Sequence, residues 1–423
     1  GNNWLRIHFH ANKNSINSLN SKAIVKVNGE TQFRELLTTR GYQGSSEPFA
    51  HFGLGDADKV DELQVIWSDG KKQILKNVAA NQLLTVTYTE ASETENYRKN
   101  SSTIVSSGAA SESGIDFKHE ENSYDDYADQ ILLPHKMSEQ GPFIAEGDVN
   151  KDGLSDFYVG ASTEQAGALF IQTKSGKFAR KSTTAFNKDK KFEDGGSAFF
   201  DADGDGDLDL MVASAGYQFD AYSPLYQPRL YFNDGKGNFS SATNNLPNWR
   251  SSGSCVRPTD IDNDGDIDVF IGGLLSPKRY PEAGKSCIFV NQGNGKFDIY
   301  AHPIFADLGM VKDAIWTDLN QDKQADLIVV GEWTPISFFV NQNGKLVNQT
   351  EEYLPDSPSG WWNCIETGDF DGNGLQDFVI GNLGLNYKYK ASSEKPFKVY
   401  AGDLDENGSF DIILSTYYGE KLF

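Results

Sequence analysis

Asp201-Ala202-Asp203-Gly204-Asp205-Gly206-Asp207-Leu208-Asp209 runs directly into the apolar segment Leu210-Met211-Val212-Ala213. Five Asp in nine residues repel one another, and none can be buried unpaired. The stretch requires a cation. Side-chain oxygens at positions 1, 3, 5 and 9, a backbone carbonyl at position 7 and Gly at position 6 match the ligand geometry of a hard divalent ion, Ca2+ ahead of Mg2+.

The pattern returns at Asp148, Asn150, Asp152 and Asp156, and at Asp260, Asp262, Asp264 and Asp268. Further copies are Asp318, Asn320, Asp322 and Asp326; Asp369, Asp371, Asn373 and Asp377; and Asp403, Asp405, Asn407 and Asp411. The position-7 carbonyls would be those of Leu154, Asp207, Asp266, Gln324, Leu375 and Ser409. Six copies, spaced by 53, 59, 58, 51 and 34 residues, constitute an internal repeat. The fourth copy departs from the others, because Lys323 replaces the turn Gly and adds a positive charge. Its site is expected to be the weakest, or empty.

An EF-hand loop would end in a bidentate Glu at position 12. Here that position holds Val159, Val212, Ile271, Val329, Ile380 and Leu414, so the EF-hand reading fails. Each loop leads instead into a short apolar run such as Phe157-Tyr158-Val159 or Leu327-Ile328-Val329-Val330, which reads as a buried strand. A second aromatic run and a Gly/Asn turn follow in several units, for example Leu230-Tyr231-Phe232-Asn233 to Gly237-Asn238-Phe239. These are hairpins. Units of about four antiparallel strands repeated in this way predict an all-β, multi-bladed β-propeller with Ca-binding loops. Six loops fit a seven-bladed ring that is incomplete in this chain, and the short last interval requires a compact blade. A processed or partial chain is expected, since no signal peptide precedes Gly1 and Phe423 follows a loop closely.

Residues 1–88 differ in kind. Alternating runs at residues 4–9, 23–27, 62–67 and 83–88, with turn signals at Asn28-Gly29 and Asp69-Gly70, predict a small β-sandwich without metal loops. Residues 89–115 are rich in Ser, Thr, Glu and Ala and read as a flexible linker. The propeller would then occupy residues 116–423, with 116–140 leading into the first blade or adding a strand to the last.

Asn3-Trp4-Leu5, Gly41-Tyr42, His51-Phe52-Gly53-Leu54-Gly55, Val60-Asp61 and Val65-Ile66-Trp67-Ser68-Asp69-Gly70 resemble the ASPIC/UnbV domain. The Asp loops with their flanking strands resemble FG-GAP/VCBS repeats, the blades of the integrin α-type propeller. The resemblance implies a secreted or surface-exposed protein of the kind found in Bacteroidota, sometimes encoded beside SusC/SusD-type outer-membrane uptake complexes. It implies no activity.

The formal net charge is −22. Twenty of the carboxylates are loop Asp at positions 1, 3, 5 and 9, and six Ca2+ would leave about −10. That surplus argues against nucleic acid and anionic membrane surfaces as partners. No apolar run approaches a membrane span. Weak Ca2+ sites suit millimolar extracellular calcium, so the protein is expected outside the cell or on its surface.

Cys255 and Cys364, each five residues before a loop, read as buried strand thiols, and a disulfide involving Cys287 is unforced. His8, His10, His51, His119, His135 and His302 form no cluster in sequence, although His8 and His10 share a strand face. No catalytic motif emerges, and acidic pairs cannot be separated from the metal loops. Trp361-Trp362-Asn363, Gly331-Glu332-Trp333 and Asn386-Tyr387-Lys388-Tyr389 lie near strand ends, where rings can stack on sugars or anchor a protein. The expected function is a non-enzymatic, calcium-stabilised module that binds a surface protein or glycan. The alternative is a polysaccharide lyase-like enzyme, which would need Lys or Arg and Tyr converging in a basic cleft.

Overall fold

In the computed structural model the chain divides into two units, Gly1–Ser107 and Gly108–Phe423. It describes residues 2–10, 18–37, 47–88, 91, 93–94, 109–300, 303–305 and 308–423. Gly41, Tyr42, His302 and most of the linker lie outside these residues.

The first unit contains β1 (Asn3–His10), β2 (Lys22–Val27), β3 (Glu30–Glu35), β4 (Phe49–Gly55), β5 (Lys59–Ile66), β6 (Lys71–Ala79), β7 (Gln82–Thr87) and β8 (Glu93–Thr94). They form two sheets, of order β4-β1-β7 and β3-β2-β5-β6-β8. Alternation decides which face is buried. Leu5, Ile7 and Phe9 of β1 pack with Val25, Phe52, Leu63, Val65 and Trp67, while Arg6, His8 and His10 face away from that core. Asn28 and Gly29 both take positive φ, 50° and 82°, as a two-residue hairpin turn requires.

The second unit opens with residues 109–140, which contain no strand among the described residues. Gln130 fixes their path: its side-chain amide donates to the carbonyls of Tyr280 and Phe410, and its oxygen accepts from the Tyr217 hydroxyl and the Tyr280 N–H. Leu133 and Met137 join a core with Tyr217, Leu274, Leu275, Tyr280, Met310 and Ile412. The lead segment therefore bridges several repeats on its way into the first, and adds no strand to the last.

Four antiparallel four-stranded units follow the predicted pattern. The first is Ile144–Gly147, Asp156–Val159, Ala168–Gln172 and Phe178–Lys181. The second is Asp194–Phe200, Asp209–Ser214, Arg229–Asn233 and Phe239–Ser241, and the third Gly253–Thr259, Asp268–Gly273, Cys287–Asn291 and Phe297–Tyr300. The fourth is Met310–Thr317, Asp326–Thr334, Ser337–Asn341 and Leu346–Asn348. First strands of successive repeats pack on one another. Each second strand is thus covered on both faces, which is why it reads as an unbroken apolar run.

The fifth and sixth repeats depart from the four-strand expectation. Gly360–Gly368 pairs only with Asp377–Asn382 and the end of the fourth repeat's second strand, and Lys398–Gly402 pairs only with Asp411–Ser415. The 34-residue interval leaves no room for outer strands. Cys364 is not the buried strand thiol expected from its place before the loop. Cys255 is buried against Val311 of the next repeat, but Cys364 is exposed because no strand of the sixth repeat covers it in that way. All three cysteines are free thiols.

Glu193, almost fully buried, joins the first two repeats by accepting from the Thr163 N–H (2.8 Å) and hydroxyl (2.9 Å) and from the Gln218 amide (3.1 Å). Burial above all, with the Glu121 carboxylate adding to it, pushes its pKa from 4.5 up to about 7 against these hydrogen bonds. A carboxyl with a raised folded-state pKa stabilises fully below the unfolded value and loses that contribution as pH rises through the folded one. Glu193→Gln, which cannot ionise, is therefore expected to gain on the parent by on the order of 2–3 kcal/mol between pH 4.5 and 7.5. Urea unfolding at both pH values checks this, and a gap that does not change with pH overturns it.

Candidate metal centres

All six loops adopt one conformation, built by the loop's own backbone. The position-1 carboxylate accepts from the N–H of position 6 in every copy, at 2.8 Å for Asp148, 2.9 Å for Asp201, Asp318 and Asp369, and 3.0 Å for Asp260 and Asp403. The position-5 side chain accepts from the N–H of position 7 at 2.7–2.9 Å. These bonds fold the loop around its oxygens.

Two residues per loop are left-handed. Position 6 was legible as Gly, but position 4 is left-handed as well: Lys151, Gly204, Asn263, Gln321, Gly372 and Glu406 all have φ between 59° and 78°. Lys323 takes φ 68° at position 6 and keeps the same hydrogen bonds, so its side chain does not abolish the turn. It holds the turn under strain of about 1–2 kcal/mol, partly offset by what Gly would lose in unfolded-chain entropy. Lys323→Gly is expected to raise stability by about 0.5–1 kcal/mol. Matched urea titrations test it, and an unchanged or lower midpoint would count against it.

Position 9 is a staple. Asp209 accepts from Ala202 N–H (2.9 Å) in its own loop and from Asn233 N–H (2.8 Å) at the end of the third strand. Asp156 does the same with Val149 and Gln172, Asp268 with Ile261 and Asn291, and Asp326 with Leu319 and Asn341. All four are buried. In the two-stranded repeats Asp377 and Asp411 hold only their own loops, through the N–H groups of Phe370 and Leu404.

Asn residues at the third-strand ends link neighbouring loops. The side-chain amides of Asn233, Asn291 and Asn341 donate to the carbonyls of Val149, Ala202 and Ile261, each at position 2 of the preceding repeat's loop, at 2.7–2.8 Å. Their recurrence at one register was the available signal. Lys151 also reaches across, forming an ion pair with Asp207 of the second loop.

The carboxylates converge in four copies. Oxygens of Asp201, Asp203 and Asp209 lie within 4.8 Å of one another, as do those of Asp260, Asp262 and Asp268; of Asp369, Asp371 and Asp377; and of Asp403, Asp405 and Asp411. The first and fourth loops have Asn150 and Asn320 at position 3 and form no acidic triad among the described residues. There the Asn amide donates to Asp152 or Asp322 instead. No His takes part in an acidic or mixed cluster of this kind among the described residues.

Burial acts on position 9 in all four complete repeats and raises Asp156 and Asp326 above their usual value, against their backbone hydrogen bonds. Burial first, then neighbouring loop Asp, pushes Asp209 up to about 7 and Asp268 up to about 6, against their backbone hydrogen bonds. Asp203 and Asp262 are raised as well, by burial and by Asp205 and Asp264 respectively. Asp322, beside Asn320, is lowered by the Gln324 N–H and the amide partners. Hydrogen bonds use one lone pair of a carboxylate oxygen and leave another for a cation. An all-oxygen donor set fits Ca2+ in the four triads.

Residues 11–93 match the family model described as ASPIC and UnbV. Residues 148–212, 201–271 and 318–380 match the one described as FG-GAP-like repeat. The chain joins an ASPIC/UnbV segment to FG-GAP-like propeller repeats. The matched FG-GAP-like segments begin at position 1 of the first, second and fourth loops and run into the second strand of the next repeat. No curated protein matches the chain. Among solved structures, rhamnogalacturonan lyase YesW is similar at 11% identity over 99% of this chain and 74% of that one, with a TM-score of 0.35. The V. cholerae biofilm matrix protein Bap1 is similar at 16% identity over 66% and 38%, with a TM-score of 0.30. The Dos1 propeller is similar at 9% identity over 73% and 69%, with a TM-score of 0.28.

Proposed function

We propose that this chain is a calcium-stabilised extracellular binding module, in which Ca2+ sets the FG-GAP-like loops and the propeller presents its surface to a glycan or protein at the cell surface. The recurrence of the oxygen-only triad in four repeats carries this reading. A single catalytic metal would not be copied from repeat to repeat, whereas a structural ion at each loop is. Bound Ca2+ would supply charge balance to buried carboxylates that the fold otherwise holds partly protonated. Loops of this kind fill at the millimolar calcium found outside cells, which supports an extracellular reading.

The chain with Ca2+ is expected to bind immobilised glycans or surface proteins and to leave polysaccharides intact. Release of new chain ends from a polysaccharide would overturn the reading in favour of an enzyme. A SusC/SusD-type complex is the proposed surface partner, and co-purification with an outer-membrane barrel protein checks it.

A further inference from the structure

Three aromatic stretches far apart in sequence meet at one place in the second unit. The Trp361 ring lies 5.2 Å from Trp333, 5.2 Å from Tyr387 and 5.9 Å from Phe397, and Tyr389 stacks on Phe397 at 4.7 Å. His135, from the lead segment, meets Trp361 edge-on at 5.4 Å. Trp361 and Tyr387 are half-buried and face an open cavity of about 610 Å3.

The floor of that cavity is charged. Glu332 is 2% exposed, accepts a short hydrogen bond from the Tyr280 hydroxyl, and has His135 Nε2 at 3.3 Å and Lys312 Nζ at 4.0 Å. Burial raises its pKa, but the His135 contact, the Lys312 charge and the Tyr280 hydroxyl outweigh it and hold the carboxyl below its usual range. Lys312 donates to Gln140 at 2.8 Å and keeps further N–H groups for a ligand.

Backbone irregularities put these groups there. Lys312 and Asn363 are the extra residues of β-bulges in the first strands of the fourth and fifth repeats, and both line the cavity. Trp333 sits at a third bulge with φ 62°, a conformation few aromatic residues adopt. That bulge lets Glu332 and Trp333 reach the same Tyr280 hydroxyl, which donates to the first and accepts from the indole N–H of the second at 2.6 Å. Strain and buried charge of this kind persist where the surroundings impose them, and they mark sites.

We infer that this cavity is a binding site for a neutral saccharide, with Trp361 and Tyr387 as the stacking wall and Glu332, Lys312 and Asn363 pairing with hydroxyls; the inference rests on the binding-module reading. Sugar ring faces are apolar and their edges are hydroxylated, which matches an aromatic wall beside a carboxylate and an amine. Charge selects the neutral class. Among the described residues that line it, Lys312 and His135 face Glu332 and Lys136 pairs with Glu139, so no spare cation remains for a uronate or sulfate. Tyr280, whose hydroxyl donates to Glu332, is fully buried and its phenol is held protonated by burial and by Glu332, so it supports the floor of the cavity and is not poised as a base.

The test uses the full chain in millimolar Ca2+, titrated with oligosaccharides of glucose, mannose and galactose and with a uronate oligomer, read by tryptophan fluorescence and calorimetry. Binding of a neutral oligosaccharide is expected, weakened at least tenfold in Trp361→Ala and in Asn363→Ala, with calcium-dependent melting unchanged in both variants. Saccharide binding that survives both substitutions overturns the site and leaves the module reading standing. Preference for the uronate overturns it too. If no saccharide binds while calcium still shifts the melt, the site falls and the module's partner is a protein.

Discussion

In millimolar Ca2+ the thermal midpoint is expected to lie about 10–20 °C above its value in EDTA. The fold buries Asp209 and Asp268 among other carboxylates and thereby holds their protons to about pH 7 and 6. Ionising them without a counter-charge works against folding, and a divalent ion reverses the sign. A site at a hundredfold excess of ligand over Kd contributes about 2.7 kcal/mol, so four triads together contribute about 11 kcal/mol. For a unit of this size a kilocalorie moves the midpoint by about 1.5 °C. Native mass spectrometry should count at least four ions, with one lost in Asp260→Asn. An identical melt in EDTA and calcium, with no bound ion, would remove the loop assignments.

The loops were legible because their chemistry is local: six copies of one spacing, with Gly at five of the six position-6 sites, specify turn and ligands within nine residues. Strand order in the four complete repeats was legible for a related reason, since apolar runs and Gly/Asn turns alternate at short range. What stayed hidden is relational. Asn341 looks like any strand-end Asn until its amide is seen on the Ile261 carbonyl, 80 residues away. His135 and Lys312 carry no motif, and only the path of the lead segment and a bulge in a first strand bring them to Glu332. The exposure of Cys364 depends on how the next repeat packs, since the first strand of the sixth repeat does not cover it as Val311 covers Cys255. The aromatic stretches were visible as candidates, but their convergence was not.

Arg229→Met is expected to cost about 3–5 kcal/mol, the effect of breaking a buried ion pair on one side. Arg229 is 3% exposed, and its guanidinium meets Asp194 at 2.8 Å and lies 4.6 Å from the Phe192 ring centroid. The other Asp194 oxygen accepts from the Tyr158 hydroxyl (2.7 Å) and the Ala161 N–H (2.8 Å), both in the first repeat. This cluster and the Asn233 clip to Val149 thus hold the joint between the first two repeats by separate polar contacts. Removing the guanidinium leaves Asp194 ionised and buried with two neutral donors, or forces it to take a proton. Asp194→Ala leaves the mirror problem, a buried guanidinium whose Nε and Nη2 already lack partners. The double variant removes both charges and is expected to cost less than the two single changes combined, by 2 kcal/mol or more on the order of measured buried pairs. Urea unfolding of the four proteins in calcium gives the coupling directly. Additive costs would mean that the joint depends on apolar packing around Phe186 and Tyr231 and that the ion pair is incidental to it.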